Sequence, residues 1–146
     1  MQKESYYKDV REHLKALEER GKLVRVKQRI NKDTELMPLV RWQFRGLEES
    51  QRKAFFFQNV FDVKGKSYSM PVTVGTLAAS TEIYSIGLKC KPEEIHERWT
   101  RAQAHPIAPV QVERGPVQEV IWKGDDLLNG HGLDMLPVPI STPGFD

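Results

Sequence analysis

The chain has 146 residues, of which 39% are hydrophobic and 29% charged, and a formal net charge of +2. This is the composition of one ordinary globular domain with a small appendage, and it excludes a disordered chain. No apolar run approaches the ~20 residues that a membrane-spanning helix needs, the small net charge does not suit a dedicated nucleic-acid binder, and Cys90, as the only cysteine, excludes an internal disulfide and a thiolate metal cluster.

Met1 is followed by Gln2, Lys3, Glu4 and Ser5 with no apolar stretch behind them, so a secretory signal is not expected and the expected location is cytoplasmic. Residues 5–21 are predicted as an amphipathic helix. Tyr7, Val10, Leu14 and Leu17 recur on one face, Ser5 is the candidate cap, and Gly21 is a stop that accepts left-handed backbone. Residues 23–26 follow as a short strand. A second helix is predicted at about 34–45, capped by Asp33 or Thr34 and ended by Gly46. Pro38 must then sit in its first turn, and Leu36, Leu39, Val40 and Phe44 form its inner face.

Residues 54–60, rich in phenylalanine, read as a strand buried on both sides. Residues 62–66, with Gly65, read as a turn, and residues 70–75 as another strand opened by Pro71. Phe55, Phe57, Val72 and Val74 are the expected core. Residues 81–88 are predicted as a helix capped by Ser80 or Thr81 and ended by Gly87. Pro92 opens a further helix, with Ile95, Trp99 and Ala102 inward and His105-Pro106 as its end.

Beyond this point Pro106, Pro109, Pro116, Pro137, Pro139 and Pro143 punctuate the chain and helical periodicity is lost. Residues 117–122 read as a strand, 124–126 as a turn, and 133–145 as extended chain. Residues 115–146 carry Lys123 against Glu119, Asp125, Asp126, Asp134 and Asp146, a net of −4, which leaves +6 on residues 1–114. The expected organisation is an α/β fold: a small mixed α/β domain over residues 1–108, followed over 109–146 by the start of a β-rich unit. An exposed strand edge there invites pairing with another chain.

No phosphate-binding glycine loop and no nucleophile elbow is present. His13, beside Arg11 and Glu12, reads as solvated. Glu93, His96 and Glu97 share a helix surface, but no second carboxylate–histidine pair completes a metal site. Asp125, Asp126, His131 and Asp134 lack fixed ligand spacing and read as a solvated acidic loop; adjacent acids such as Asp125 and Asp126 do not occupy the contrasting environments that acid–base catalysis requires. Cys90 reads as a half-buried loop residue, and Trp42, Trp99 and Trp122 as core or interface residues. Composition and spacing alone identify no active site.

The order of several blocks is more informative. DVREHLKALEERGKLVRV at residues 9–26, Asp33-Thr34-Glu35-Leu36, FFFQNV at 55–60 and PVTVGTLAAS at 71–80 occur in sequence. PVQVERGPVQEVIWKGDD at 109–126 and LDMLPVPISTPGFD at 133–146 follow. Together they resemble the N-terminal portion of the UbiD-type, polyprenyl-hydroxybenzoate decarboxylase-like family. The resemblance implies a carboxy-lyase using prenylated FMN, a divalent metal, commonly manganese (Mn2+), and a monovalent cation, potassium (K+). The implied reaction is the reversible, non-oxidative decarboxylation of an aromatic or α,β-unsaturated acid, by a homo-oligomer or with a complementary subunit. It also implies that residues 109–146 open a split-barrel-like cofactor domain. The family's metal-binding asparagine, catalytic arginine and glutamates, and metal-binding histidine have no counterpart here. No catalytic, cofactor-binding or metal residue is therefore carried over, and the chain is expected to be inactive alone. A non-catalytic assembly or binding module derived from this domain is the alternative.

Overall fold

The computed structural model describes residues 6–142. Helix α1 (Val10–Glu19) starts where Asp9 accepts hydrogen bonds from the N–H groups of Arg11 and Glu12, at 2.8 and 3.2 Å. Glu12 in turn accepts from Lys8 N–H at 2.9 Å, so two side chains satisfy three backbone donors at the helix start. The cap is thus Asp9; Ser5 lies outside the described residues. Tyr7 precedes the helix and Val10 is exposed, which leaves Leu14 and Leu17 as the buried face. His13 is buried with them, a correction to its reading as solvated. Gly21, at φ +67°, closes the helix, and Lys22 N–H reaches back to Leu17 O.

Strand β1 (Leu23–Asn31) runs well past the four residues expected. Its two arginines do not stop it, because they lie over neighbouring rings. The Arg25 guanidinium sits 4.9 Å from the Phe56 centroid and is held by both carboxylate oxygens of Glu18, and Arg29 sits 4.1 Å from Phe61.

Helix α2 (Leu36–Gly46) begins at Glu35 without a side-chain cap, so neither Asp33 nor Thr34 caps it. The N–H groups of both instead donate to Asn31 Oδ1. Pro38 lies in the first turn as required. Leu36 and Val40 are buried, but Leu39 and Phe44 are exposed and Gln43 takes the inward position. Gln43 can be buried because its amide donates to Lys53 O and accepts from Lys53 N–H, each at 2.9 Å.

Strand β2 (Ala54–Phe61) is central. It pairs in parallel with β1, from Leu23 opposite Ala54 to Asn31 opposite Phe61, with an irregularity between Val26 and Arg29. On its other edge it pairs antiparallel with β3 (Ser67–Tyr68), which the sequence did not announce, and with β4 (Val72–Val74). The result is a mixed four-stranded sheet. One core joins Leu14 and Leu17 of α1 to Ala54 and to Ile83 and Ile86 of α3 (Thr81–Leu88). A second joins Leu36 and Val40 of α2 to Ile30, Phe57 and Val60. Phe57 is wholly buried, whereas Phe55, Val72 and Val74 are half-buried around it, and β2 as a whole is not covered on both sides.

Ser80 caps α3 by accepting from Ile83 N–H at 3.2 Å. Gly87 lies inside that helix, which ends one residue later with Lys89 at φ +52°. A single tight turn (Pro92–Glu94) leads into α4 (Ile95–Ala104). This helix buries no residue fully: Trp99 and Ala102 are exposed, not inward, and the Trp99 indole donates to the Tyr84 hydroxyl.

No strand follows Val74 among the described residues, a correction to the strand expected at 117–122. Pro116–Gln118 is a tight turn fastened by Gly115 N–H on the Gln118 side chain at 3.0 Å. With no neighbouring strand, an extended segment there has no ladder in which to place its backbone groups. Nearly all of residues 105–134 are exposed; the chain then returns to the domain, with Pro137 buried and Met135, Pro139 and Ile140 half-buried. The last part of the stretch expected to be extended, residues 143–145, lies outside the described residues. Among those described, no helix is long and apolar enough to cross a membrane.

Candidate functional site

The parallel strands β1 and β2 end side by side at Asn31 and Phe61. Ligands of open α/β sheets commonly bind beyond such carboxyl ends. Here the strand ends deliver Asn31, Asp33 and Asp62, all buried, together with Lys32 and Tyr68. Asp33 places Oδ1 at 2.5 Å from Lys32 Nζ, and its Oδ2 accepts from Val63 N–H at 3.0 Å. Asp62 Oδ1 accepts from the N–H groups of Lys64 and Lys66, each at 2.9 Å, and its Oδ2 accepts from the Tyr68 hydroxyl at 3.1 Å. The turn after β2 is built on that carboxylate, with Gly65 at φ +84° completing it.

Burial pushes the Asp62 carboxyl up. The Lys66 N–H, the Tyr68 hydroxyl, the Lys64 N–H and the Lys32 charge outweigh it and hold the group below its ordinary value. Burial and then the bond to Asp62 push the Tyr68 hydroxyl up. Every oxygen of both carboxylates is thus engaged by the chain's own donors, so the cluster is built to hold structure and not to move a proton. What it holds includes the returning tail. Lys66 Nζ, beside this turn, donates to the Asp134 carbonyl at 2.6 Å and to its carboxylate at 3.2 Å. Farther on, Arg41 of α2 lies 3.5 Å from the Thr142 hydroxyl. The sequence reading took Asp62 only as a turn residue; the signal for its larger role was an Asp three residues before a glycine, at the end of an aromatic strand.

The other sequence candidates do not converge. Glu93, His96 and Glu97 are exposed around the start of α4. Asp126 faces Lys123 N–H at 3.5 Å, Asp134 pairs with Lys66, and His131 stacks on Trp122 with centroids 4.6 Å apart. Among the described residues no three His, Cys, Asp or Glu side chains are placed to hold a metal ion. Cys90 is half-buried, as expected, at a cavity of about 200 Å³ walled by Lys89, Glu94, Glu97, Arg98 and Arg101. A neighbouring cavity of about 760 Å³ is likewise walled by ionic side chains, among them Arg20, Glu82, Lys91 and Glu94. Tyr7, Ile86 and Pro92 also line the second cavity, so its wall is mixed. Among the described residues no side-chain set fits the metal that the family resemblance implies. His13 was missed. Its Nε2 lies 2.8 Å from Thr76 O, and its ring meets Tyr7 edge-on at 5.2 Å, which ties α1 to the loop between β4 and α3.

A solved structure of the vanillic acid decarboxylase of Sedimentibacter hydroxybenzoicus, in open form and with truncated ShVdcD, shares the fold. Its TM-score is 0.58 at 24% identity over 72% of this chain, and this chain spans 22% of the length of that one. Residues 14–103, from α1 to the end of α4, match the sequence pattern of the 3-octaprenyl-4-hydroxybenzoate carboxy-lyase N-terminal domain. The chain belongs to the UbiD carboxy-lyase family and carries its N-terminal domain.

Proposed function

We propose that this chain is the scaffolding N-terminal part of a prenylated-FMN-dependent decarboxylase acting on an aromatic or α,β-unsaturated carboxylic acid in the cytoplasm. In that reaction the carboxylate leaves as CO₂ and a proton takes its place on the carbon. Residues 1–108 are the domain proper, and residues 109–146 lead into the cofactor domain. Catalysis and the binding of flavin, manganese and potassium belong to domains supplied in the same polypeptide or by a complementary subunit. The single observation that carries the reading is the family match through residues 14–103. The fully engaged carboxylates of Asp33 and Asp62 support a structural role for the most buried polar cluster.

The test is to express the chain together with the cofactor-making prenyltransferase, record its absorbance, and assay aromatic and unsaturated acids with manganese. The expected result is neither a flavin-like spectrum nor CO₂ release from the chain alone, and activity once the remaining domains are supplied. A stoichiometric flavin spectrum or turnover by the isolated chain overturns the proposal. Failure to restore activity with the remaining domains points to the assembly-module alternative.

A further inference from the structure

After the tight turn at Leu133–Met135, the chain returns to the domain as a proline-rich strap with two unlike sides. Pro137 is buried and Pro139 half-buried, whereas Leu136 and Val138 are 42% and 61% exposed. That is the reverse of the ordinary preference, in which proline takes the surface and the aliphatic side chains go inward. The strap thus holds to its own domain through prolines and shows its aliphatic side chains to solvent.

The strap ends against helix α2. Leu36, Val40 and Gln43 of that helix turn inward. Opposite them Pro38, Trp42 and Arg45 are exposed at helical spacing, with Trp42 76% accessible. Arg41, on the same outward side, lies 3.5 Å from the Thr142 hydroxyl, so strap and helix meet there. Leu39 is exposed on one flank, and on the other Arg52 stands over Phe44 at 5.2 Å. An aromatic among arginines, continued by aliphatic side chains, has the composition of an interface centre.

We propose that the outer side of the strap and the Trp42 face of α2 form one seat, on which the cofactor-bearing portion of the carboxy-lyase docks. The proposal rests on the functional reading above and adds to it the place of contact. The occupant follows from the route of the chain. On that reading the polypeptide leading into the cofactor domain runs along the strap and reaches α2 at Thr142, which brings that domain to Trp42 ahead of any free protein. Arg41, Arg45 and Arg52 call for carboxylates on the facing surface, and Trp42, Leu136 and Val138 for an apolar centre.

Hydroxyl-radical footprinting, read peptide by peptide, tests the seat by comparing this chain alone with the assembled enzyme. Trp42, Leu136 and Val138 are oxidised in the isolated chain and protected several-fold in the assembly. Trp42→Ala, Arg45→Glu and Leu136→Ser/Val138→Ser each raise the concentration of this chain that half-restores activity to the remaining domains, by about tenfold or more. Activity at saturation stays that of the wild type, and the circular dichroism of the chain is unchanged. An active assembly in which Trp42 reacts as it does in the isolated chain overturns the proposal and leaves the decarboxylase reading standing. So do variants that restore activity at the wild-type concentration. Protection of Trp42 that grows with the concentration of this chain alone assigns the face to a second copy and equally overturns the proposal. If no activity is restored, the decarboxylase reading fails, and the footprint recorded with the same domains still decides the seat.

Discussion

The ammonium of Lys66 lies 2.6 Å from the carbonyl oxygen of Asp134, a residue 68 positions further along the chain. Both side chains are substantially exposed, and such pairs contribute about 0–1 kcal/mol to global stability. The local effect should be larger. Lys66→Ala is expected to leave the unfolding midpoint within that margin while speeding hydrogen exchange at Met135 and Leu136, whose N–H groups close the turn beside Asp134. Unchanged protection at those two amides would mean that the tail is held by other contacts.

Phe57 is fully buried and Phe55 only half-buried, although the two rings stack at 5.6 Å. Phe57→Ala should cost about 3–5 kcal/mol in chemical denaturation, and Phe55→Ala clearly less, because water already reaches part of that site. Equal losses for the two would be incompatible with this packing.

Removing the His13 ring leaves Thr76 O without its donor in a part-buried site. His13→Ala is expected to destabilise by about 1–3 kcal/mol for the unsatisfied carbonyl, with a further loss for the cavity. His13→Phe separates the two contributions, since it keeps the volume and still lacks the N–H. A wild-type unfolding curve for His13→Ala would return the residue to the solvated surface.

The folded state holds the Asp62 carboxyl below its unfolded value. Its stabilisation is therefore fully present above the unfolded value and disappears as pH falls through the folded one. Wild type and Asp62→Asn should differ most at neutral pH and converge on the acid side. A gap that widens on acidification would reverse the sign and refute the arrangement around Asp62.

Gly75 adopts φ +75°, and a Cβ there would lie 3.1 Å from Ala79 Cβ. Gly75→Ala should lose roughly 1–2 kcal/mol from left-handed backbone, plus the cost of moving Ala79. Ala79→Gly in the same background should recover only the steric part, which thermal unfolding of the single and double variants resolves.

The fold was legible where a local rule and burial agree. The Leu14–Leu17 face, Gly21, Pro38, the Ser80 cap and the phenylalanine strand could all be found from spacing and turn chemistry. It was misread where a side chain's partner comes from elsewhere in the chain. His13 has charged neighbours in sequence, and only folding brings Thr76 O to it. Gln43 is polar, yet the backbone of Lys53 makes it the better inward residue than Phe44. Residues 117–122 have strand composition, but strands need partners, and none lies beside them among the described residues. At the polar cluster the donors to Asp62 are local (Lys64, Lys66 and Tyr68) and were open to a turn reading, whereas the Val63 N–H that engages Asp33 comes from 30 residues away.

The parallel pairing of β1 with β2 has a consequence for the order in which the chain folds. Parallel neighbours cannot zip up from a tight hairpin, and β1 reaches its partner only after the whole of α2 has crossed between them. The closure entropy of that connection must be met before the first ladder bond forms, so this step, and not the local β2–β4 pairing, should limit the refolding rate. Substitutions of Leu36 or Val40, which dock the crossing helix on the sheet, should then slow refolding, whereas those on the exposed flank of α4 should act on unfolding alone.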